Sequence, residues 1–234
     1  MRESALRILL LGHGRMGRLV ETLAPSYGVE IAGVLDSRNN AGGAALTASA
    51  WRDVDVAIDF SHADAFREHA AALCGLGIDL VIGTTGWKAD EASVRRAVQD
   101  AEIGAVVSAN FSLGANILEA LAETAGRLLA QREDYGVWLH EWHHAAKKDA
   151  PSGTALMLKA AVERGGVTRG IDVSSTRAGA APGTHVIGFD GPSESITLEH
   201  AVRDRATFAH GALAAARWVK GRRGWFTMRD VIGF

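Results

Sequence analysis

Five short apolar runs, interleaved with alanine-rich helical stretches, constrain the first 110 residues more than any other feature of the chain. Arg7 to Leu11 ends in Gly12-His13-Gly14-Arg15-Met16-Gly17, and Met16, Leu19, Val20 and Leu23 then recur at helical spacing. That is strand, loop, helix. Ile31 to Leu35, Val54 to Phe60, Leu80 to Ile82 and Ala105 to Ser108 are four further strand-like runs, and the segments around 63–76 and 90–101 read as helices, with breaks at Gly75, Gly77 and Gly104. Short, continuously apolar strands joined by helices call for a parallel sheet covered on both faces.

The second half follows a different pattern. A long helix over about 115–130 precedes a strand at Val137 to Trp142, a polar loop and a helix starting near Ser152. After Gly165-Gly166, the runs Ile171 to Thr176, His185 to Phe189 and Ser195 to His200 alternate sides, with Asp190-Gly191-Pro192 as turn chemistry, and read as an antiparallel sheet. Thr207 to Lys220 closes the chain as a helix, followed by a short Trp225-Phe226-Thr227-Met228 tail. Residues 39–50 read as a loop or a poor helix.

Composition excludes several functional classes. A chain of 234 residues can form one large or two modest domains. At 47% hydrophobic and 22% charged it is not disordered, and it has no run of about 18 apolar residues to span a membrane. Twenty-five basic against 27 acidic residues leave a net charge of −2, no footprint for a nucleic acid or an anionic membrane. A small molecule is the expected partner. Cys74 is the only cysteine, so neither an intramolecular disulfide nor a Cys-rich metal site is available, and it should pack as a small apolar residue. The start MRESALRILLLGHG runs straight into a glycine loop without a small-residue cleavage site, which reads as a cytoplasmic chain.

Gly12-x-Gly14-x-x-Gly17, between a strand and a helix, has the context of a dinucleotide fingerprint, in which glycines let the backbone approach a pyrophosphate at the helix N-terminus. An ordinary glycine-rich turn is the competing reading. Asp36, about 20 residues on at the end of the second strand, is placed to accept from the ribose hydroxyls of NAD, while Arg38 is placed to pair with the 2′-phosphate of NADP. A solvated turn is the alternative for both. Gly83-Thr84-Thr85-Gly86 ends the fourth strand, where open α/β sheets bind ligands.

The densest chemistry lies in His140-Glu141-Trp142-His143-His144-Ala145-Ala146-Lys147-Lys148-Asp149-Ala150-Pro151-Ser152-Gly153-Thr154. As an anion site, it combines lysine point charges with backbone N–H groups at a helix start, and histidine suits proton transfer near neutrality. A solvated charged loop is one alternative. A metal site is a weaker one, because His143 and His144 point apart on a strand and no His-x-x-x-His pair with a nearby Glu on a helix is apparent. Ser108-Ala109-Asn110-Phe111, Arg177-Ala178-Gly179 and Gly183-x-His185 are lesser signals. Taken alone, Asn110 reads as a helix cap and Phe111 as a core residue.

Read together with Val56-Ala-Ile-Asp-Phe-Ser61 and Phe208-Ala-x-Gly-Ala212, these motifs occur in the order seen in one enzyme family. The chain closely resembles the 4-hydroxy-tetrahydrodipicolinate (dihydrodipicolinate) reductases of bacterial lysine and diaminopimelate biosynthesis, over nearly its whole length. The Glu141-x-His-His-x-x-Lys-x-Asp-Ala-Pro-Ser-Gly-Thr-Ala155 element carries the specificity.

The resemblance implies an α/β fold in which a Rossmann-type domain, 1–110 plus 205–234, is interrupted by an α+β substrate-binding and oligomerisation domain with a mixed sheet, 111–204. It implies His143 as catalytic acid/base and Lys147 as the second catalytic residue, with His144, Gly153 and Thr154 on the substrate. NADH or NADPH would lie along Gly12, His13, Gly14, Arg15, Met16 and Gly17, be selected at Asp36 and Arg38, and meet Gly83, Thr84, Thr85, Ser108, Ala109, Asn110 and Phe111. A cyclic dicarboxylate substrate, no metal and a cytoplasmic homotetramer complete the expectation. Two departures stand out: Leu11 occupies the position where many members carry the first glycine of the loop, and the chain is short between Gly165 and Arg177.

Overall fold

The computed structural model describes residues 5–234; the charged first four residues lie outside it. The chain opens with strand β1 (Leu6–Leu11), helix α1 (Arg15–Leu23) and strand β2 (Val29–Leu35). After a 3-10 turn and the one-turn helix α2 (Ala48–Trp51) come β3 (Val56–Asp59), α3 (Ala63–Gly75), β4 (Asp79–Ile82), α4 (Glu91–Asp100) and β5 (Gly104–Val107). β1, β3 and β4 are buried nearly end to end, as strands covered on both faces must be.

The next segment forms a separate compact unit, Leu113–Thr207. It contains α5 (Leu113–Leu129), β6 (Gly136–His143), α6 (Gly153–Arg164), β7 (Ile171–Arg177), β8 (Thr184–Asp190) and β9 (Ser195–Ala201). The chain then returns to the first unit with α7 (Ala206–Val219), β10 (Gly224–Phe226) and α8 (Met228–Ile232).

In the first unit, six parallel strands stand in the order β10-β5-β4-β3-β1-β2. The tail around Trp225 is therefore a sixth strand. Buried Asp79 secures this return: its carboxylate accepts the Gly104 N–H at 2.8 Å and the Gly221 N–H at 2.7 Å, linking β4 to β5 and to the turn before β10. Burial pushes the Asp79 carboxyl up, and those two N–H bonds oppose the shift. Cys74 packs in the core of this unit, where burial raises its thiol to about 11.

The second unit has a four-stranded sheet in the order β7-β6-β8-β9. The strands after Gly166 do not form one antiparallel sheet. β6 and β7 run parallel because α6 carries the chain back to the start of the sheet between them, whereas β8 and β9 form an antiparallel hairpin on the other side of β6. Leu118, Val137, Leu139, Leu158, Val162 and Phe189 belong to one buried core with residues of α5, α6 and the sheet. Strand β6 alternates strictly, with Val137, Leu139, Glu141 and His143 buried and Trp138 and Trp142 outward. That period of two puts an acid and a histidine on the same inner face.

Candidate active site

The first unit presents the C-terminal ends of its parallel strands along one edge, the position at which open α/β sheets bind ligands. Gly12 N–H donates to the Leu35 carbonyl at 2.8 Å, fixing the glycine loop to the end of β2. Gly12 has φ +90°, and a Cβ on Gly17 would lie 2.0 Å from the Gly12 carbonyl oxygen, so the loop and α1 meet backbone to backbone. Gly14 caps α1 without a side-chain hydrogen bond, and a Cβ there would meet nothing within 4 Å. The first-turn N–H groups of a nine-residue helix thus lack a side-chain cap at an open position, a fit for the pyrophosphate of a dinucleotide.

A cleft of about 400 Å³ adjoins this loop, lined by Gly12, His13, Gly14, Asp36, Arg38 and His69 among others. Asp36 and Arg38, the two candidate cofactor selectors, are bonded to each other. Arg38 Nη2 donates to Asp36 Oδ2 at 2.6 Å and its backbone N–H to Oδ1 at 2.9 Å, bonds that hold the Asp36 carboxyl below its ordinary value. His13 bonds Glu21 at 2.7 Å, and Arg15 is exposed while Met16 is half-buried at the start of α1.

Gly83, Thr84 and Thr85 follow β4, and Ser108, Ala109, Asn110 and Phe111 follow β5, on the same sheet edge. The Thr84 hydroxyl turns inward and donates to Asp59 Oδ1 at 2.7 Å, leaving Thr85 as the exposed threonine. Asn110 Oδ1 accepts the Ser112 N–H, and Phe111 is buried edge-on against Phe60.

The second unit holds the polar cluster. His143 ends β6, and the loop after it is anchored by His144 N–H to Ala181 O at 2.8 Å and by Lys147 N–H to His144 O at 3.1 Å. Lys147 Nζ donates to both oxygens of Asp149, at 2.7 and 2.9 Å. Ser152 caps α6, accepting the Ala155 N–H at 3.1 Å, while Gly153 is exposed with nothing within 4 Å of a Cβ. Thr154 follows it, half-buried, in the first turn.

Beneath this loop lies fully buried Glu141. Its Oε1 accepts from Ser152 N–H at 3.0 Å, Ser175 Oγ at 2.7 Å and Arg177 Nη2 at 2.6 Å. Burial pushes the Glu141 carboxyl up, but the bonds from Ser152, Arg177 and Ser175 outweigh it and hold the group at about 2. Its Oε2 lies 3.5 Å from His143 Nδ1 and 3.6 Å from His185 Nε2. His143 is pushed below its ordinary value first by burial, then by Lys147 and Arg177, against Glu141 and Asp149. Burial, reinforced by His143, lowers His185 to about 4. A Cβ on Gly183 would stand 3.0 Å from His143 Nε2, so bare backbone leaves room on that side of the ring.

In the sequence Arg177 and His185 are only lesser signals, and Glu141 has no role beyond its place in the motif. Register brings them together, since Glu141 sits opposite Ser175 on β7 and His185 on β8, and His143 opposite Arg177. Alternation along β6 could have placed Glu141 with His143, but no local pattern predicts which cross-strand residues face them. Glu141, His143 and His185 each offer a ligand atom within 4.8 Å of the others, the one such group among the described residues. The Arg177 guanidinium on the same carboxylate works against a second cation there.

Sequence comparison accounts for both units. The N-terminal dihydrodipicolinate reductase model matches residues 6–111, and the C-terminal one residues 114–232. The chain belongs to the dihydrodipicolinate reductase family. This reductase family is one of NAD(P)H-dependent oxidoreductases with a Rossmann-type first domain. The 4-hydroxy-tetrahydrodipicolinate reductase of Rhodopseudomonas palustris strain TIE-1 is 36% identical over 269 residues, covering 98% of each chain. That of Acidiphilium cryptum is 37% identical over 258 residues, covering both chains fully. Both alignments exceed 234 residues, so these relatives carry segments this chain lacks. The fold matches that of a dipicolinate-bound dihydrodipicolinate reductase from Paenisporosarcina sp. TG-14 at TM-score 0.82 and 21% identity, over 95% of this chain and 97% of that one.

Proposed function

We propose that this chain reduces 4-hydroxy-tetrahydrodipicolinate to tetrahydrodipicolinate with NADH or NADPH, a step of lysine and diaminopimelate biosynthesis. The observation that carries the reading is the convergence of His143, His144, Lys147 and the exposed start of α6 on one loop of a chain that matches both family models. The substrate carries two carboxylates. Lys147 and the backbone at Gly153 and Thr154 hold them, with His144 alongside, and a substrate carboxylate replaces Asp149 on the Lys147 ammonium.

The substrate loses water to become an unsaturated cyclic imine. Reduced nicotinamide, when bound along Gly12 to Gly17, Asp36 and the Gly83–Thr85 and Ser108–Phe111 turns, supplies the hydride to the ring. His143 delivers a proton to the resulting enamine through Nε2, the nitrogen on the Gly183 side, so one hydride and one proton are consumed for each water lost. The dianionic substrate itself favours the protonated imidazole, offsetting the burial that lowers His143. Residues 1–110 with 205–234 serve the cofactor, and residues 111–204 the substrate and self-association.

The outer face of the four-stranded sheet exposes Trp138 and Trp142, the surface we assign to a homotetramer. No helix among the described residues is long and apolar enough to cross a membrane, and we place the enzyme in the cytoplasm. A coupled assay tests the activity: purified protein is given the synthase product made from pyruvate and aspartate semialdehyde, and NAD(P)H oxidation is followed. Turnover is expected with kcat/KM for NADH at least equal to that for NADPH, because Asp36 repels a 2′-phosphate and its bond to Arg38 occupies the cation that would receive one. Absence of turnover overturns the function, and a preference for NADPH of more than about tenfold overturns the selectivity.

A further inference from the structure

The buried carboxylate of Glu141 is saturated on one side and bare on the other. Three donors fix Oε1, from the start of α6 and from two residues of β7, so the group cannot turn. Oε2 is buried without a hydrogen-bond partner, and so are Nδ1 of His143 and Nδ1 of His185. Leaving one such atom unsatisfied costs about 1–3 kcal/mol, and native interiors hold few. With Nε of Arg177, whose guanidinium bonds Oε1, four of them lie in one contact group, a concentration that packing alone does not explain.

The geometry supplies a reason. Oε2 faces His143 Nδ1 at 3.5 Å, just outside a normal hydrogen bond, while His143 Nε2 lies on the opposite side of the ring beside Gly183. A proton on Nδ1 satisfies both orphans at once. It also settles which nitrogen exchanges protons with the substrate.

We infer that Glu141 is the positioning residue of the proton-transfer site: its Oε2 receives the Nδ1–H of His143, commits Nε2 to the substrate, and balances the positive charge whenever the ring is protonated. His185, packed edge-on against His143 at 5.1 Å between ring centres, walls the other side of Oε2 and keeps water from it. This inference rests on the reading of His143 as the acid. Charged and titratable groups face that ring from every side: Glu141 on its own strand, Arg177 on β7, His185 on β8, and Lys147 and Asp149 on the loop. Among these, the Glu141 charge is the main attraction favouring the protonated form, and its loss leaves the opposing cations in place.

Glu141→Gln tests this, since it keeps the shape and removes the charge. Expected is a fall in kcat of about 10- to 100-fold with substrate KM changed less than about threefold. The alkaline limb of kcat should move to lower pH by about one unit, because without the carboxylate the imidazolium gives up its proton earlier. Nitrogen-15 NMR of the imidazole should show the same downward shift for His143, with the loss of the Nδ1–H tautomer, and this readout does not depend on turnover. Glu141→Asp, which keeps the charge on a shorter arm, should restore the titration in part, and it replaces the first variant if that one fails to fold.

Unchanged kcat and titration in Glu141→Gln would overturn the inference, as would a loss of kcat with an unmoved titration. Stoichiometric binding of added Zn²⁺ that turnover requires and Glu141→Gln abolishes would also overturn it, in favour of a metal centre. A wild-type protein that fails to turn over the synthase product defeats the proposed function instead, while the NMR titration still judges Glu141.

Discussion

Each unit of this chain buries a carboxylate against a histidine, and the two pairs are built on opposite terms. In the first unit, Asp59 Oδ1 accepts from Ser61 N–H, Ser61 Oγ and Thr84 Oγ1, and Oδ2 meets His69 Nδ1 at 3.1 Å. The far nitrogen of His69 accepts from Asn40 Nδ2, whose Oδ1 takes the Ala45 N–H. Each polar atom of that chain has a partner. In the second unit, Glu141, His143 and His185 leave three buried atoms without one. Complete satisfaction makes a clamp, here joining the ends of β3 and β4 to α3 and to the loop that carries Asp36. Incomplete satisfaction leaves a place for a proton to arrive and depart, and the stability forgone there is the sign of chemistry rather than of poor packing.

The sharpest break in the symmetry should come from removing the histidines. His143→Ala should lower kcat by about 10²- to 10⁴-fold, the usual contribution of a positioned acid, while NADH binding measured by fluorescence titration stays within about twofold. Unchanged turnover would reduce the second pair to a clamp like the first. His69→Leu should do the opposite. It strands Asp59 Oδ2 and Asn40 Nδ2 in the interior, so urea unfolding should show a loss of about 2–4 kcal/mol, while the shape of the kcat–pH profile superimposes on wild type. A displaced profile in His69→Leu would mean that the first pair also carries a functional proton.

The sequence made the two units unequally legible. The β1 run, the glycine loop and α1 are local patterns, and the strand at Val137 to Trp142 differs from the observed β6 by one residue at each end. Trp225-Phe226 reads as a tail because a three-residue edge strand has too little pattern of its own and is defined by pairing with β5. The same limit hid both histidine pairs. Asn40, Asp59 and His69 are separated by 19 and 10 residues, and they meet only because α3 packs back beside the ends of β2 and β3. Glu141 stands two residues from His143 in an obvious motif, yet its partners Ser175, Arg177 and His185 arrive through strand register, which no local preference specifies.

The smallest expected effect separates the pairs most finely. Ser61 Oγ and Ser175 Oγ play matching parts, each one of three donors on a single carboxylate oxygen. Replacing either with alanine should cost about 1–2 kcal/mol, and less at Ser175, where solvent reaches the side chain. Beyond stability the two variants should diverge. Ser61→Ala leaves the Asp59 carboxylate held by the Ser61 N–H, Thr84 and His69, and nothing in that chain waits for a proton. Ser175→Ala withdraws a hydrogen bond that spreads the Glu141 charge, so more of that charge acts on His143 through Oε2. The imidazole should then titrate a few tenths of a pH unit higher than in wild type, opposite in sign to the shift expected for Glu141→Gln. Imidazole NMR on the two serine variants decides it: a rise confined to Ser175→Ala shows that the orphaned oxygen senses its neighbours electrostatically, and equal titrations in both would show that Glu141 and His143 are merely close.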